Sequence, residues 1–448
     1  MKKNNRQDAF SSKYVIDGVK LDVTPEDMLG ECMLPSSSEE DFREGAAGGF
    51  AEIWDESVDV PPENLDCSAE DVRERIEKVT EAAKPAQDRI FDVLYPESFA
   101  RQRVAASLID TLWIEGEYRL EDLELWAEWK WNPSEVGNMA AFYNSVQSVS
   151  EYIYDLGVVV EGYCYEEDAD CVNSYFATVG GDEYGDGEYD ADPEEAEEVA
   201  DKDWEEDDMS AEESRLWTVG GGSDVNLDKN RSVWMGEERL CAAHLVADGG
   251  VVRSTSYASD GASGSTGDCP QREACAGSFL VYVPFDTCPP RLGGSLLART
   301  LGKSGGVAPA LNDPDYFIDC YEVVRDLVSD GVVMSARTVC DGGLAVAARK
   351  LASDSGLGVR LNLGGVSSAY GESDLWRLLF AETPGVLLQV SDDDSDYIDS
   401  QFLLQDVAYY RIGRVEAGTE GVEVLPLGNG VDRILTSLLD SAASEGED

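Results

Sequence analysis

A stretch of 65 residues, positions 166–230, constrains the fold of this 448-residue chain more than any other feature. It contains 24 acidic and three basic residues, so its net charge is −21. Runs such as Asp203–Asp208 carry too much charge and too few apolar side chains to bury a core. We therefore predict a disordered or loosely ordered insertion. A calcium-binding loop around Asp182, Asp186 and Glu188 is the alternative.

The rest of the chain is acidic as well. The whole chain has a net charge of −57, which leaves −36 outside the insertion. Self-repulsion of this size destabilises a compact state unless salt screens it, so a salt-tolerant host is one hypothesis. The acidic balance excludes general nucleic-acid binding and argues against binding to anionic membranes. No run approaches the roughly 18 to 20 apolar residues that span a bilayer, so we expect no membrane partner.

The cysteines and the single histidine limit the cellular locations and the types of reaction that we expect for this protein. The ten cysteines form no CxxC pair, which indicates reduced thiols, and no apolar signal region follows the basic N-terminus. We therefore expect a cytoplasmic protein. The single histidine, His244, lies in an apolar run and is predicted to be a buried structural residue. Hydrolase or glutaminase chemistry within the chain would depend on this one residue, so we do not expect it.

Hydrophobic periodicity divides the chain into two folded parts. Strands alternate with helices, which predicts an α/β or α+β fold. The predicted organisation is a peripheral N-terminal arm and helix (1–90), a first domain (91–260) with the acidic insertion (166–230), a linker (261–275), a second domain (276–415) and an acidic tail (416–448).

Several elements can be placed by their apolar spacing. The period of two at Leu123–Trp131 predicts a half-buried strand. Ser68 is a candidate N-cap for a helix at the end of the arm. The other predicted helices begin at Pro96 or cover 139–156, 318–331 and 343–355, and the other predicted strands cover 158–160, 238–256, 278–285, 332–339, 359–363, 386–390 and 409–413.

A glycine turn at Val339–Leu344 is the clearest candidate site. A strand runs into Gly342 and Gly343 and then directly into a helix. Free N–H groups at a helix start, together with the helix dipole, favour a phosphate there. Asp341 can cap the helix or hold Mg²⁺ for a nucleotide. A capped helix start that needs no ligand is the alternative.

Two further segments have a related pattern. Arg291–Leu296 contains Gly293, Gly294 and Ser295 and also reads as a glycine turn entering a helix. Leu379–Gly385 places the carboxylate of Glu382 beside a Pro-Gly turn, where it suits a metal or a ribose hydroxyl. The chain has no Walker A, HExxH or GxGxxG motif.

In this order, the three segments resemble the C-terminal domain of the aminoimidazole-ribonucleotide-synthetase superfamily. Within it they are most similar to the phosphoribosylformylglycinamidine synthase family, which has an LGGS turn, a DVSDGGL segment and an LF-x-E-x-PG segment. A weaker resemblance extends upstream to the N-terminal-type domain, through segments 100–108, 126–133 and 142–157. In the large single-chain enzymes this corresponds to the second of two synthetase halves.

The resemblance implies a fold and a reaction. The fold would be an N-terminal-type domain followed by an α/β C-terminal-type domain, with dimer formation. ATP would activate the amide oxygen of formylglycinamide ribonucleotide, a purine-pathway ribonucleotide, and ammonia from glutamine would displace the phosphate. ATP or ADP would bind with Mg²⁺, and the partners would be another synthetase half and a glutaminase subunit. The implied nucleotide or phosphate site comprises Gly293, Gly294, Ser295, Asp341, Gly342 and Gly343, and the implied metal ligands are Asp341 and Glu382.

This sequence departs from the family pattern in three places. The family's GKDS-type segment, whose Lys suits phosphate binding, is replaced by Val160–Tyr165 without a Lys. The family's His-Asp pair is Arg337-Thr338, and a Ser of its glycine turn is Cys340. One hypothesis is a diverged subunit that needs partner chains for catalysis. Two others are a non-catalytic nucleotide-binding or scaffold pseudoenzyme and an unrelated acidic binding protein on a borrowed fold.

Overall fold

A computed structural model describes residues 8–33, 68–83, 93–113, 118–179, 278–303, 306–355, 357–416 and 421–427. The predicted calcium-binding loop, His244, the strand at 238–256 and the linker at 261–275 lie outside these ranges. Within them, none of the helices has the length and apolar character needed to cross a membrane.

The described residues form α-helices and β-strands that alternate along much of the chain. The helices are α1 (Asp8–Ser11), α2 (Pro25–Glu31), α3 (Ala69–Ala82), α4 (Pro96–Asp110), α5 (Asn138–Leu156), α6 (Leu296–Thr300), α7 (Pro314–Ser329), α8 (Gly343–Ser355), α9 (Gly364–Tyr370), α10 (Leu375–Phe380) and α11 (Ser395–Leu404). The strands are β1 (Val15–Ile16), β2 (Val19–Lys20), β3 (Leu123–Trp131), β4 (Val159–Glu167), β5 (Val172–Val179), β6 (Ser278–Pro284), β7 (Val333–Val339), β8 (Gly358–Leu361), β9 (Gly385–Ser391), β10 (Tyr410–Glu416) and β11 (Val422–Val424).

A six-stranded sheet organises the C-terminal part, with the strand order β11-β8-β10-β6-β9-β7. Its neighbouring strands are antiparallel except for β11 and β8, which are parallel. Since side chains alternate along a strand, Val281 and Val283 of β6 face one core and Leu280 and Tyr282 face another. The sheet is therefore covered on both faces, which explains why all seven residues of β6 are buried.

A three-stranded sheet organises the first domain. Its central strand β3 pairs in parallel with β4, to which α5 connects it, and antiparallel with β5. The predicted bounds of β3 are confirmed, and Trp129 and Trp131 are fully buried as the period of two predicts. Trp126 lies on the opposite face of β3 and is also buried, because its ring lies against Gly162 of β4, where a side chain would clash.

The predicted start of the acidic insertion at residue 166 is wrong. Strand β4 continues to Glu167, and β5 runs through 172–179 along the whole of β3. Asn173 of β5 is buried and accepts a hydrogen bond from the indole N–H of Trp131, at 2.6 Å. The acidic residues at 166–168 and 170 are exposed at the end of β4 and in the turn before β5, so they place no buried charge in the sheet.

The N-terminal arm is not peripheral, contrary to prediction. Phe10 of α1 and Leu29 of α2 are completely buried in the first core, which also holds α4, α5 and the three-stranded sheet. Helix α3 instead contributes Val72, Ile76 and Val79 to the second core, on the opposite face of the six-stranded sheet. The arm is thus divided between the two cores.

The predicted end of the second domain at residue 415 is also wrong. Strand β11 pairs with β8 in the six-stranded sheet, and Val422 and Val424 are buried there. The domain therefore extends into the segment predicted as an acidic tail. An alternating Val-Glu-Val pattern of three residues is too short to identify a strand from sequence.

We predict that Ile76→Ala destabilises the second core although residue 76 precedes that domain by about two hundred residues. Ile76 is 1% exposed, and truncating a buried Ile costs about 2–5 kcal/mol. Urea unfolding followed by intrinsic fluorescence would measure the loss. Arg73→Ala on the exposed face of α3 is the control and should stay within about 0.5 kcal/mol of the parent. Equal, small effects of both changes would contradict the assignment of α3 to this core.

Candidate functional site

The three segments singled out in the sequence meet at the side chain of Glu382. This carboxylate is 2% exposed. Its Oε1 accepts hydrogen bonds from the backbone N–H of Leu296, at 2.7 Å, and of Gly342, at 2.8 Å. One carboxylate oxygen therefore joins the start of α6, the turn before α8 and the segment after α10. We call this arrangement the Glu382 clasp.

The two glycines before α8 are required by close contacts within the protein. Gly342 and Gly343 have φ values of +77° and +64°, in the left-handed region that side chains disfavour. A Cβ on Gly342 would lie 2.2 Å from a methyl of Val346, and a Cβ on Gly343 would lie 2.6 Å from the carbonyl oxygen of Ala381. The sequence predicted an approach to a ligand here, whereas the structure shows an approach to the backbone after α10.

The turn before α6 is built in the same way. The N–H of Gly293 donates to the carbonyl of Val307 at 2.8 Å, and a Cβ on Gly293 would lie 2.5 Å from that carbonyl carbon. Gly294 has a φ of +70°. The buried Ser295 is the N-cap of α6, where its hydroxyl accepts from the N–H of Ala298 at 3.2 Å. These residues close the turn without a ligand.

Access to the predicted phosphate cradle is restricted. Residues 342–348 are all buried, and helix α3 covers the turn with Val79, which lies 3.1 Å from the position of a Cβ on Gly342. Cys340 and Asp341 are half-buried and form the accessible edge of the turn. Phosphate binding at Gly293, Gly294, Ser295, Gly342 and Gly343 therefore stays a prediction that would require this turn to open.

The predicted metal ligands, Asp341 and Glu382, differ in their surroundings. Among the described residues, no group of three or more His, Cys, Asp or Glu side chains is placed to hold a metal ion. Oε1 of Glu382 already accepts two backbone N–H groups, so the clasp accounts for this oxygen of the carboxylate. Mg²⁺ in nucleotide sites is held by one or two carboxylates together with substrate phosphates. Asp341 could supply one such ligand, and the predicted metal-binding roles of Asp341 and Glu382 both stay predictions.

A small pocket beside the clasp was not found from the sequence, because its walls come from separate segments. It has a volume of about 20 Å³, enough for a water-sized group. Burial raises the pKa of the Cys288 thiol at this pocket to about 12, which disfavours the nucleophilic thiolate. The pocket is lined by Tyr282, Cys288, Pro290, Val366, Tyr370, Leu378, Ala381 and Thr383.

A buried carboxylate also supports the loop next to this pocket. Asp286 accepts hydrogen bonds from the backbone N–H of Cys288, at 2.7 Å, and of Asn312 and Asp313, at 3.1 and 3.3 Å. Burial raises the pKa of Asp286, and the backbone donors oppose this shift. Like Glu382, Asp286 is used to bind backbone groups of the protein.

Comparison with known proteins agrees with the sequence motifs. Residues 280–425 match the family described as AIR synthase related protein, C-terminal domain. A protein of Arabidopsis thaliana named probable phosphoribosylformylglycinamidine synthase, chloroplastic/mitochondrial, is 31% identical over 137 residues, which is 31% of this chain and 9% of that protein. Phosphoribosylformylglycinamidine synthase of Homo sapiens is 29% identical over 115 residues, which is 26% of this chain and 8% of that protein.

Solved structures show a distant likeness over more of the chain. The PurL protein of Thermotoga maritima, complexed with FGAR, matches 74% of this chain and 41% of its own at 12% identity, with a TM-score of 0.45. The protein tt0281 of Thermus thermophilus matches 75% of this chain and 81% of its own at 15% identity, with a TM-score of 0.37. Because these scores are low, the similarity to this family depends on the sequence matches. The predicted mixed α and β fold class is confirmed, and the predicted resemblance to the aminoimidazole-ribonucleotide-synthetase superfamily is confirmed over residues 280–425.

We predict that Glu382→Ala destabilises the protein and that formate restores part of the loss. The change leaves two buried N–H groups without this acceptor, which costs roughly 2–5 kcal/mol, and a small carboxylate can occupy the vacated space. Thermal unfolding with and without sodium formate, against sodium chloride at equal ionic strength, would measure both effects. Glu135→Ala, at an exposed position, is the control and should respond equally to the two salts. A clasp variant as stable as the parent would contradict the role of Glu382.

Proposed function

We propose that this chain is a diverged member of the phosphoribosylformylglycinamidine synthase family that takes part in ATP-dependent amidine formation on formylglycinamide ribonucleotide. The observation that carries the proposal is the convergence of three family motif segments on the Glu382 clasp. Motifs that match only by chance have no reason to meet at one buried carboxylate. The names of the two curated relatives support the same reaction, a ligase step of purine biosynthesis.

The proposal includes partner chains. The matched segments cover only 9% and 8% of the two curated relatives, so most of what those proteins contain has no counterpart in the match. The place of the family's phosphate-binding Lys is taken by β4, in which residues 162–165 are buried. A second synthetase half and a glutaminase subunit would supply the missing groups. Dimer formation and a cytoplasmic location belong to the same proposal.

Within such a complex, Asp341 is the residue of this chain that we expect to contact a Mg²⁺-nucleotide. It lies directly after β7 at the accessible edge of the glycine turn. Mg²⁺ would neutralise charge on the transferred phosphate. The Glu382 clasp would hold the turn that carries Asp341 and would make no contact with the nucleotide itself.

A non-catalytic scaffold of the same family is the second candidate. It is favoured by the closed glycine turns, in which the N–H of Gly342 is already satisfied by Glu382 and the N–H of Gly293 by Val307. A turn completed by protein groups can persist after a nucleotide site has been lost, because the fold then no longer depends on the ligand.

Product formation separates the two candidates. We expect ammonia- or glutamine-dependent amidine formation from formylglycinamide ribonucleotide and ATP only when this chain is mixed with a partner synthetase half and glutaminase. The same mixture without this chain is the control. Nucleotide binding without turnover in any mixture would favour the scaffold, and the absence of both binding and turnover would contradict the whole proposal.

A second prediction concerns Asp341. We expect Asp341→Ala to weaken binding of Mg²⁺-ATP while leaving the fold intact, with at most about 1 kcal/mol lost if the side chain caps α8. Calorimetric titration with Mg²⁺-ATP and thermal unfolding of the same samples would measure both. Asp319→Ala on the exposed face of α7 is the matched control. Equal affinity of the two variants would remove Asp341 from the site.

A further inference from the structure

Three side chains connect the end of α4 to the end of β7. The indole N–H of Trp113, in the 3₁₀ turn after α4, donates to the hydroxyl of Thr338 at 2.9 Å. That hydroxyl in turn donates a short hydrogen bond to Oδ1 of Asp110, the last residue of α4. Asp110 and Trp113 belong to the first domain and Thr338 to the second, so the chain of hydrogen bonds crosses between them.

The charges around Asp110 are mostly positive. Arg337, the buried neighbour of Thr338 on β7, and Lys350 on α8 both favour the ionised carboxylate, as does the Thr338 hydrogen bond. Burial outweighs all three and raises the pKa of Asp110 to about 7. The carboxyl therefore changes its charge near neutral pH, unlike an exposed Asp.

The other elements around the end of α4 add few charges. From α7, the hydroxyl of Tyr321 lies 2.8 Å from that of Thr111, next to Asp110, and burial raises the pKa of Tyr321 to about 12, so this phenol is neutral. Strand β9 contributes the apolar Val386 and Leu388 to the same core. The acidic residue of α5 that pairs with α4, Glu151, contacts Arg101 at the opposite end of the helix.

We propose that the Asp110–Thr338–Trp113 chain is a proton-operated latch between the two domains. When Asp110 is protonated, its neutral carboxyl still accepts from Thr338 and carries no cost of burying a charge. When Asp110 is ionised, that cost appears at the junction of α4 with β7 and loosens it. The latch involves no nucleotide and does not depend on the proposed function.

The sign of the pH dependence follows from linkage. An unfolded Asp titrates near 3.9, so between roughly pH 4 and pH 7 the native state binds the proton more tightly than the unfolded state. The contribution of Asp110 to stability is complete below this window, is lost as the pH rises through it and is constant above it. An Asn at this position stays neutral and keeps an oxygen for Thr338, so it imitates the protonated state.

The first test compares wild type with Asp110→Asn by thermal unfolding between pH 5.5 and 8.5. We expect the unfolding midpoint of the variant to exceed that of wild type by an amount that grows up to about pH 7 and then levels off. Asp319→Asn, at an exposed position on α7, is the control for the lost charge and should follow the wild-type profile. Parallel profiles of Asp110→Asn and wild type would overturn the proposal.

The second test uses the fluorescence of Trp113 at the junction of α4 with β7. It does not require the Asp110→Asn variant to fold. The pH dependence of Trp113 emission, taken as the difference between the parent protein and its Trp113→Phe variant, should show a midpoint near pH 7. Thr338→Val, which breaks the link, should abolish this midpoint or move it upward, and Thr338→Ser should restore it. An unchanged midpoint in Thr338→Val would overturn the latch.

Amide hydrogen exchange supplies a structural measurement. In wild type, the rate of amide exchange at the end of α4 and along β7 should increase between pH 6 and pH 8. The increase should exceed the known rise of the intrinsic exchange rate of an unprotected amide over the same pH range. Amides of β3 serve as the internal reference, because that strand lies away from the junction in the centre of its sheet. Equal protection changes at both places would show that the junction is not the element that responds to pH.

Discussion

One buried carboxylate, that of Glu382, determines how the C-terminal domain is assembled. It fixes two helix starts and the segment before β9 relative to one another, through backbone N–H groups whose positions allow little adjustment. Two positive-φ glycines lie beside it, and a Cβ would clash with the side chain of Val346 at Gly342 and with the backbone of Ala381 at Gly343. In a chain of net charge −57, backbone dipoles are a means of stabilising a buried anion that does not consume the few basic residues.

The six-stranded sheet connects the C-terminal domain to the other described parts of the chain. Its two faces belong to different cores, and each core recruits elements from far away in sequence: α1 and α2 for one, α3 for the other. The second core of this chain is thus completed by residues that precede the first domain. A fold arranged in this way is not divided cleanly at a sequence position, so local composition could not place boundaries at 90 and 415.

The local sequence pattern was sufficient to predict a helix or strand where the spacing of its apolar side chains is regular. The bounds of β3 and of α8 follow from their periods of 2 and 3.6, since burial on one face imposes that spacing. Strand β5 was missed because acidic residues dominate its surroundings and its own residues do not alternate between apolar and polar. The sequence singled out Glu382 but not its contacts, because residue type cannot reveal which backbone donors will face it. The partnership of Asp110 with Thr338 depends on tertiary structure alone.

The position of α3 has a consequence for the order in which the protein can form. This amphipathic helix is synthesised about 260 residues before α8, its main neighbour in the second core. At about 5–20 residues per second, that interval is on the order of tens of seconds, during which Val72, Ile76 and Val79 have no native surface to cover. Folding of the second core is therefore a late, long-range event, and the nascent chain would present an apolar helix that a chaperone can bind.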